Sequence, residues 1–152
     1  MSDYKFYMSR YVGSAWENAV DIEEKFLGLR VAYVEGLSEK GDIENIYVEN
    51  YAENRELRVL FPENIVRKST EIKMVVCFSG LARRDIYDSF VKYLEGKRLK
   101  YWDTCRMREV EMFLRKSVNV DEDVFIGNNP YILATFVFQN YAGDSKKKEP
   151  TP

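Results

Sequence analysis

From Arg108 to Val120 apolar and polar residues alternate, placing Val110, Met112, Leu114, Val118 and Val120 on one face. A period of two is the signature of a half-buried strand, because successive side chains leave opposite faces of the pleat. The same period recurs at Tyr4, Phe6 and Met8, and at Ile72, Met74, Val76 and Phe78, with Glu71, Lys73, Val75 and Cys77 opposite. In Phe26 to Leu37, Leu27, Leu29, Val31 and Tyr33 are expected on one side, Gly28, Arg30, Ala32 and Val34 on the other. Tyr131 to Tyr141 is apolar on both faces at Phe136-Val137-Phe138, as a central or doubly covered strand is.

One segment breaks the pattern. Ile86, Phe90 and Leu94, flanked by Tyr87 and Val91, recur every four residues and draw a helical stripe. The helix is expected over Ala82 to Glu95, with Gly96 at its C-cap and Lys97-Arg98 facing the negative end of its dipole. Ser38-Glu39-Lys40-Gly41-Asp42 is turn chemistry, and Asn18 to Lys25 reads as a helical turn or a loop. Ile43 to Tyr51 and Leu57 to Phe61 are expected to pair around Ala52-Glu53-Asn54-Arg55, with Pro62 closing that unit. Asp121-Glu122-Asp123 and Gly127-Asn128-Asn129-Pro130 read as loops. The fold class is mainly β (α+β): an antiparallel β-sandwich or barrel-like domain over residues 1–142 with one flanking helix at 82–95. Residues 143–152, GDSKKKEPTP, form a polar tail expected to be unstructured by itself.

A chain of 152 residues suits one core and needs no disulfide or metal staple. Its 11 Tyr, 9 Phe and 2 Trp favour β surfaces and interfaces, where rigid rings bury much area at little entropic cost. A formal net charge of −2 argues against a dedicated nucleic-acid binder. The densest basic segment, from Arg83 to Arg108, is matched by Asp85, Asp88, Glu95, Asp103 and Glu109, as a salt-laced surface is. The N-terminus carries no signal-like segment and no apolar run reaches the ~20 residues of a membrane span, so a cytoplasmic chain is expected.

Chemistry is sparse. There is no histidine, which removes the commonest general base and transition-metal ligand. Cys77 and Cys105 have neither metal spacing nor a histidine to activate them. Asp121, Glu122 and Asp123 lack the order of a calcium loop. No catalytic, cofactor or metal site is expected, and no enzyme. Were the chain a small carboxylate-based hydrolase, Asp103 with Glu109 or Asp121 would be its pair.

The order of elements resembles a known family. A strand (Ile72–Phe78) is followed by the amphipathic helix with Arg83 and Arg84 near its start, then a strand carrying Tyr101-Trp102-Asp103. The long alternating strand (Arg106–Val120) comes next, and Pro130-Tyr131 opens the apolar last strand. Over about Ser69 to Gly143 this is similar to the tail-tube and distal-tail (baseplate hub) subunits of long-tailed phages, whose shared module is a β-sandwich flanked by a helix. The resemblance implies a structural subunit (tube, distal ring, terminator or adaptor) that forms rings, commonly hexameric, around a DNA channel. Its partners would be itself and neighbouring tail proteins, with at most non-specific passage of DNA, no membrane and no small molecule. Its place would be the virion tail, assembled in the host cytoplasm. Interface positions are then expected at Tyr101, Trp102 and Arg106, with Lys146, Lys147 and Lys148 steering the tail onto an acidic neighbour. The alternative is a monomeric inhibitor- or immunity-like module that binds protein through an aromatic-rich sheet.

Overall fold

The computed structural model describes residues 4–43, 46–51, 54–59 and 66–149. Among the described residues eleven strands and two helices run in the order β1 (Phe6–Val12), β2 (Ala15–Trp16), β3 (Val20–Asp21), α1 (Ile22–Lys25), β4 (Leu29–Glu35), β5 (Ile46–Tyr51), β6 (Asn54–Val59), β7 (Thr70–Ser79), α2 (Arg83–Leu94), β8 (Leu99–Asp103), β9 (Arg108–Ile126), β10 (Asn129–Asn140) and β11 (Lys146–Lys147). Nine strands form one antiparallel sheet whose path is β2-β1-β8-β9-β10-β7-β4, with β3 added beside β1 and β11 beside β9. The mainly-β reading with one flanking helix therefore holds.

The sheet has two halves that share β9. Its first residues pair with β8, Leu99 opposite Met112 and Trp102 opposite Glu109. From Phe113 onward it pairs with β10, through three register shifts. Bulges bend a strand and increase its twist, which lets one strand serve two facing layers. Met8, Leu99, Tyr101, Val110 and Met112 from one half pack in a single core with Ile72, Met74, Val76, Phe136 and Phe138 from the other. The alternation read in β7 is observed: Ile72, Met74, Val76 and Phe78 are fully buried, while Glu71 and Lys73 are exposed.

Helix α2 falls where the stripe put it. Phe90 and Leu94 are buried, and the Phe90 ring meets Phe26, Phe78 and Phe136 at centroid distances of 5.3, 6.1 and 5.2 Å. Each such ring contributes about 1.5–3 kcal/mol by burial, and edge-to-face contacts add about 0.5–1.5 kcal/mol. The helix ends at Glu95, whose extended backbone donates its N–H to Val91 O at 2.9 Å, and Gly96 follows at φ 69°. Two side-chain contacts tie the helix to β9: Tyr87 Oη lies 2.7 Å from Ser117 Oγ, and Arg84 grips Glu122 at 2.9 and 3.0 Å.

The structure corrects several sequence expectations. In β4 a register shift between Val31 and Tyr33 reverses the phase, so Val34 is buried and Tyr33 is exposed. Asp121 and Glu122 do not form a loop; β9 continues through them to Ile126, since an exposed strand position tolerates a carboxylate. Asn129-Pro130 likewise opens β10 opposite Ile126 and Phe125, leaving Gly127-Asn128 as the turn. Asn18 to Lys25 resolves into β3 and one helical turn, capped by Asp21, whose carboxylate accepts from Glu23 N at 3.2 Å. The hairpin expected near residue 50 is observed as β5 and β6, with Ile46 opposite Val59, as a separate two-stranded sheet. Ala52-Glu53, Phe61 and Pro62 lie outside the described residues.

Candidate functional site

The residues expected at an interface do come together, but within one chain. Tyr101 is 0% exposed and Trp102 4% exposed, so neither presents a face to a neighbour in this fold. Strand period sends them to opposite sides of β8: Tyr101 pairs with Met8 and Val110 in the core, Trp102 with Tyr7 and Glu109 on the outer face. The Trp102 ring stacks on Tyr7 at 5.8 Å.

What closes over Trp102 is the C-terminal segment. After β10 the chain turns at Gly143, whose N–H reaches Asn140 O and whose carbonyl accepts from Gly41 N at 2.8 Å. Asp144 then takes an ion pair from Arg67 at 3.9 Å, Arg108 Nε donates to Ser145 Oγ at 2.9 Å, and Lys146 and Lys147 pair with Glu109 and Arg108. Lys148 N donates to Met107 O at 2.9 Å. Its ammonium lies over Trp102, 4.7 Å from the ring centroid, and 3.9 Å from a Glu109 oxygen. The described part of the tail expected to be unstructured, residues 143–149, is thus a strap. Lys148 compensates charge already displayed on β9, a pairing invisible until strand register sets Glu109 beside the tail. Lys146 and Lys147 remain exposed; Lys148 is held.

Arg106 serves the inside as well. The buried carboxylate of Asp103 accepts from Tyr101 Oη at 2.7 Å, from Arg106 N at 2.6 Å and from an Arg106 guanidinium N–H at 3.3 Å. The other arm of that guanidinium donates to Val34 O at 2.8 Å, joining the β8–β9 turn to β4. Burial first, and then the neighbouring Asp103 charge, push the Tyr101 phenol well above its ordinary pKa. Asp103 therefore has its oxygens engaged in holding a turn, not facing a cleft. Glu109 is engaged by Lys148, and Glu122 by Arg84. Burial raises the Cys77 thiol, which lowers its thiolate fraction, and Cys105 is exposed without a disulfide partner. Among the described residues no three acidic or cysteine side chains gather where a metal ion would fit. Among the described residues no helix is long and apolar enough to cross a membrane.

Two surface features escaped the sequence reading. At the end of the sandwich where β7 stops, Leu27, Leu81, Phe125 and Ile126 are largely exposed; the ladder Val124–Tyr131–Ser79 brings the β9–β10 tip to that end. Where β9 bends between the two halves, an open groove of about 690 Å3 runs from Gly96–Arg98 across Met112 and Leu114 to Tyr141 and Ala142. Arg98 Nε on its rim pairs with Glu111 at 2.9 Å.

No family model and no curated protein matches the chain. Solved structures do, among them the SPP1 Dit (gp 19.1) protein, described as a paradigm of the hub adsorption apparatus in Gram-positive infecting phages. That match has a TM-score of 0.57 at 12% sequence identity and covers 93% of this chain and 52% of the other. The chain spans about half the length of that protein. At this identity the likeness is one of fold: a mainly-β fold with a flanking helix.

Proposed function

We propose that the chain is a structural subunit of a phage-type tail, acting by self-assembly into rings around a DNA channel and by contact with neighbouring tail proteins. The observation that carries this reading is the fold match to a phage hub protein across nearly the whole chain. The engagement of Asp103 and Glu109 in ion pairs supports it, since these two carboxylates, which could have served a hydrolase, hold structure together. So does the near-neutral, slightly acidic charge, which gives a DNA channel little with which to retain phosphates. In this reading the protein is assembled in the host cytoplasm and resides in the virion tail as tube, distal ring, terminator or adaptor.

Sedimentation of the purified chain at rising concentration, followed by negative-stain imaging, tests it. Rings or short tubes, alone or with proteins encoded beside it, are the expected result. A strict monomer in every mixture overturns the reading. The protein-binding alternative cannot use Trp102, which lies under the strap.

A further inference from the structure

We infer that in the assembled protein the strap of each copy crosses to the next, so that residues 145–149 of one subunit lie along β9 and over Trp102 of its neighbour. The inference rests on the self-assembly reading and names the contact that joins the copies.

The anchors of this segment divide at one peptide link. Up to Asp144 the chain is tied to β10 and to the turns beside it. The Gly143 carbonyl accepts from Gly41 N at 2.8 Å, Asn140 Nδ2 donates to Asp144 O at 3.0 Å, and Arg67 lies 3.9 Å from the Asp144 carboxylate. A Cβ at Gly143 would meet the Lys68 carbonyl oxygen at 2.1 Å, so this turn is packed tight. From Ser145 onward the partners change to Trp102, Met107, Arg108 and Glu109. A unit with its own set of anchors can leave its chain while its origin stays fixed.

Nothing in the cradle records which copy supplies the strap. The ladder of Lys146 on Glu109 and Lys147 on Arg108, the hydrogen bond from Arg108 Nε to Ser145 Oγ, and the Lys148 ammonium between Trp102 and Glu109 use the same atoms in trans. Exchange of an identical element is for that reason a low-cost route to assembly. The fit of occupant to site is the one already observed within a single chain.

The hold in cis is slight. The ladder has two residue pairs, Lys146 and Lys147 are exposed, and no residue of 145–149 belongs to the hydrophobic core. Segments of this sort open at the low end of local stability. What the strap covers is an edge: Glu109 of β9 has Trp102 of β8 on one side and Lys146 on the other. An uncovered strand edge is a template for another chain. In trans the strap pairs that edge and links two subunits with one set of bonds.

Reach sets the arrangement. Five extended residues span roughly 17 Å at ~3.3 Å per residue, so the joined subunits stand side by side at the β9 edge. Each copy gives one strap and takes one, a heterologous contact of the kind that closes into a ring.

The test is disulfide trapping in the full chain, with Cys77→Ser and Cys105→Ser to remove the native thiols. Glu109→Cys is combined with Lys146→Cys, and separately Arg108→Cys with Lys147→Cys, because facing residues of an antiparallel ladder lie within disulfide range. Circular dichroism verifies folding, and sedimentation verifies assembly before oxidation. The expected result on a denaturing gel is a ladder of two, three and more linked chains, collapsing to one band on reduction. Chains carrying only Glu109→Cys, mixed with chains carrying only Lys146→Cys, should also give the mixed disulfide. If the protein assembles but both pairs close within single chains, the exchange is overturned while assembly stands. If the linked products stop at two chains, the one-way exchange is overturned. If the unoxidised chain stays monomeric at every concentration and in every mixture, the assembly reading falls and the exchange with it.

Discussion

The ammonium of Lys148 rests 4.7 Å from the centroid of the Trp102 ring, joining the segment after β10 to the outer face of β8. A cation over an indole face contributes about 0.5–2 kcal/mol, more as water is excluded. Here the same ammonium is also shared with Glu109.

Removing that cap should be visible optically. In a Trp16→Phe background, Lys148→Ala is expected to shift the remaining tryptophan emission to longer wavelength and to lower stability by about 1 kcal/mol. Fluorescence spectra with a urea titration check both. An unshifted spectrum would mean that the strap does not shield the ring.

The turn at Gly143 can unseat the strap without touching Trp102. Gly143 has φ 65°, and a Cβ there would collide with the carbonyl oxygen of Lys68. Gly143→Ala should therefore reproduce the red shift of Lys148→Ala and make amides of residues 144–149 exchange faster, read by hydrogen-exchange mass spectrometry.

Asp103 holds the β8–β9 turn from inside. Asp103→Ala leaves the buried Tyr101 hydroxyl without its acceptor and frees Arg106, so a loss of about 3 kcal/mol is expected. For a chain of this length each kcal/mol lowers Tm by roughly 2–4 °C, which calorimetry resolves.

Tyr101 makes folding sensitive to alkali. Its folded-state pKa is raised, so the folded chain keeps the phenolic proton that the unfolded chain releases above about pH 10. The stabilisation is complete below that pH and is lost as pH rises through the folded value. Stability should fall above about pH 10, and Tyr101→Phe should flatten that decline while costing about 1 kcal/mol at neutral pH for the lost hydrogen bond. Urea midpoints from pH 7 to 11 measure it.

Phe90→Ala is expected to cost about 3–5 kcal/mol, since it empties the centre of the ring cluster formed with Phe26, Phe78 and Phe136. A neighbouring surface change, Asp88→Ala, should leave stability within about 0.5 kcal/mol.

How much of this was legible in the sequence depends on the range of the interaction. The stripe Ile86, Phe90, Leu94 and the alternation of Ile72 to Phe78 are local periods, and both elements were placed within a residue or two. The bulge in β4 is not a period, so the faces of Tyr33 and Val34 were exchanged. The acidic run at Asp121 reads as loop because carboxylates are poor strand formers, yet an exposed ladder edge tolerates them. Tyr101 and Trp102 looked like contact residues because aromatic–charged segments often are; only pairing across β1, β8 and β9 shows the first inside the core and the second roofed by Lys148. The strap and the groove are tertiary creations, each assembled from segments far apart in the chain, and no local signal announces them.

The 19 residues of β9 form one unbroken strand through both halves of the sandwich, roughly 60 Å of backbone at ~3.3 Å per residue. In mechanical terms it is a tie-rod. A push on the hairpin tip loads the ladders of β10 and β8 in shear, so their hydrogen bonds resist together and do not unzip one by one. Force entering at one end of the subunit emerges at the turn held by Asp103 and Arg106, beside the strap. A part of this kind can pass a displacement from one end of the chain's sheet to the other while its own core stays intact.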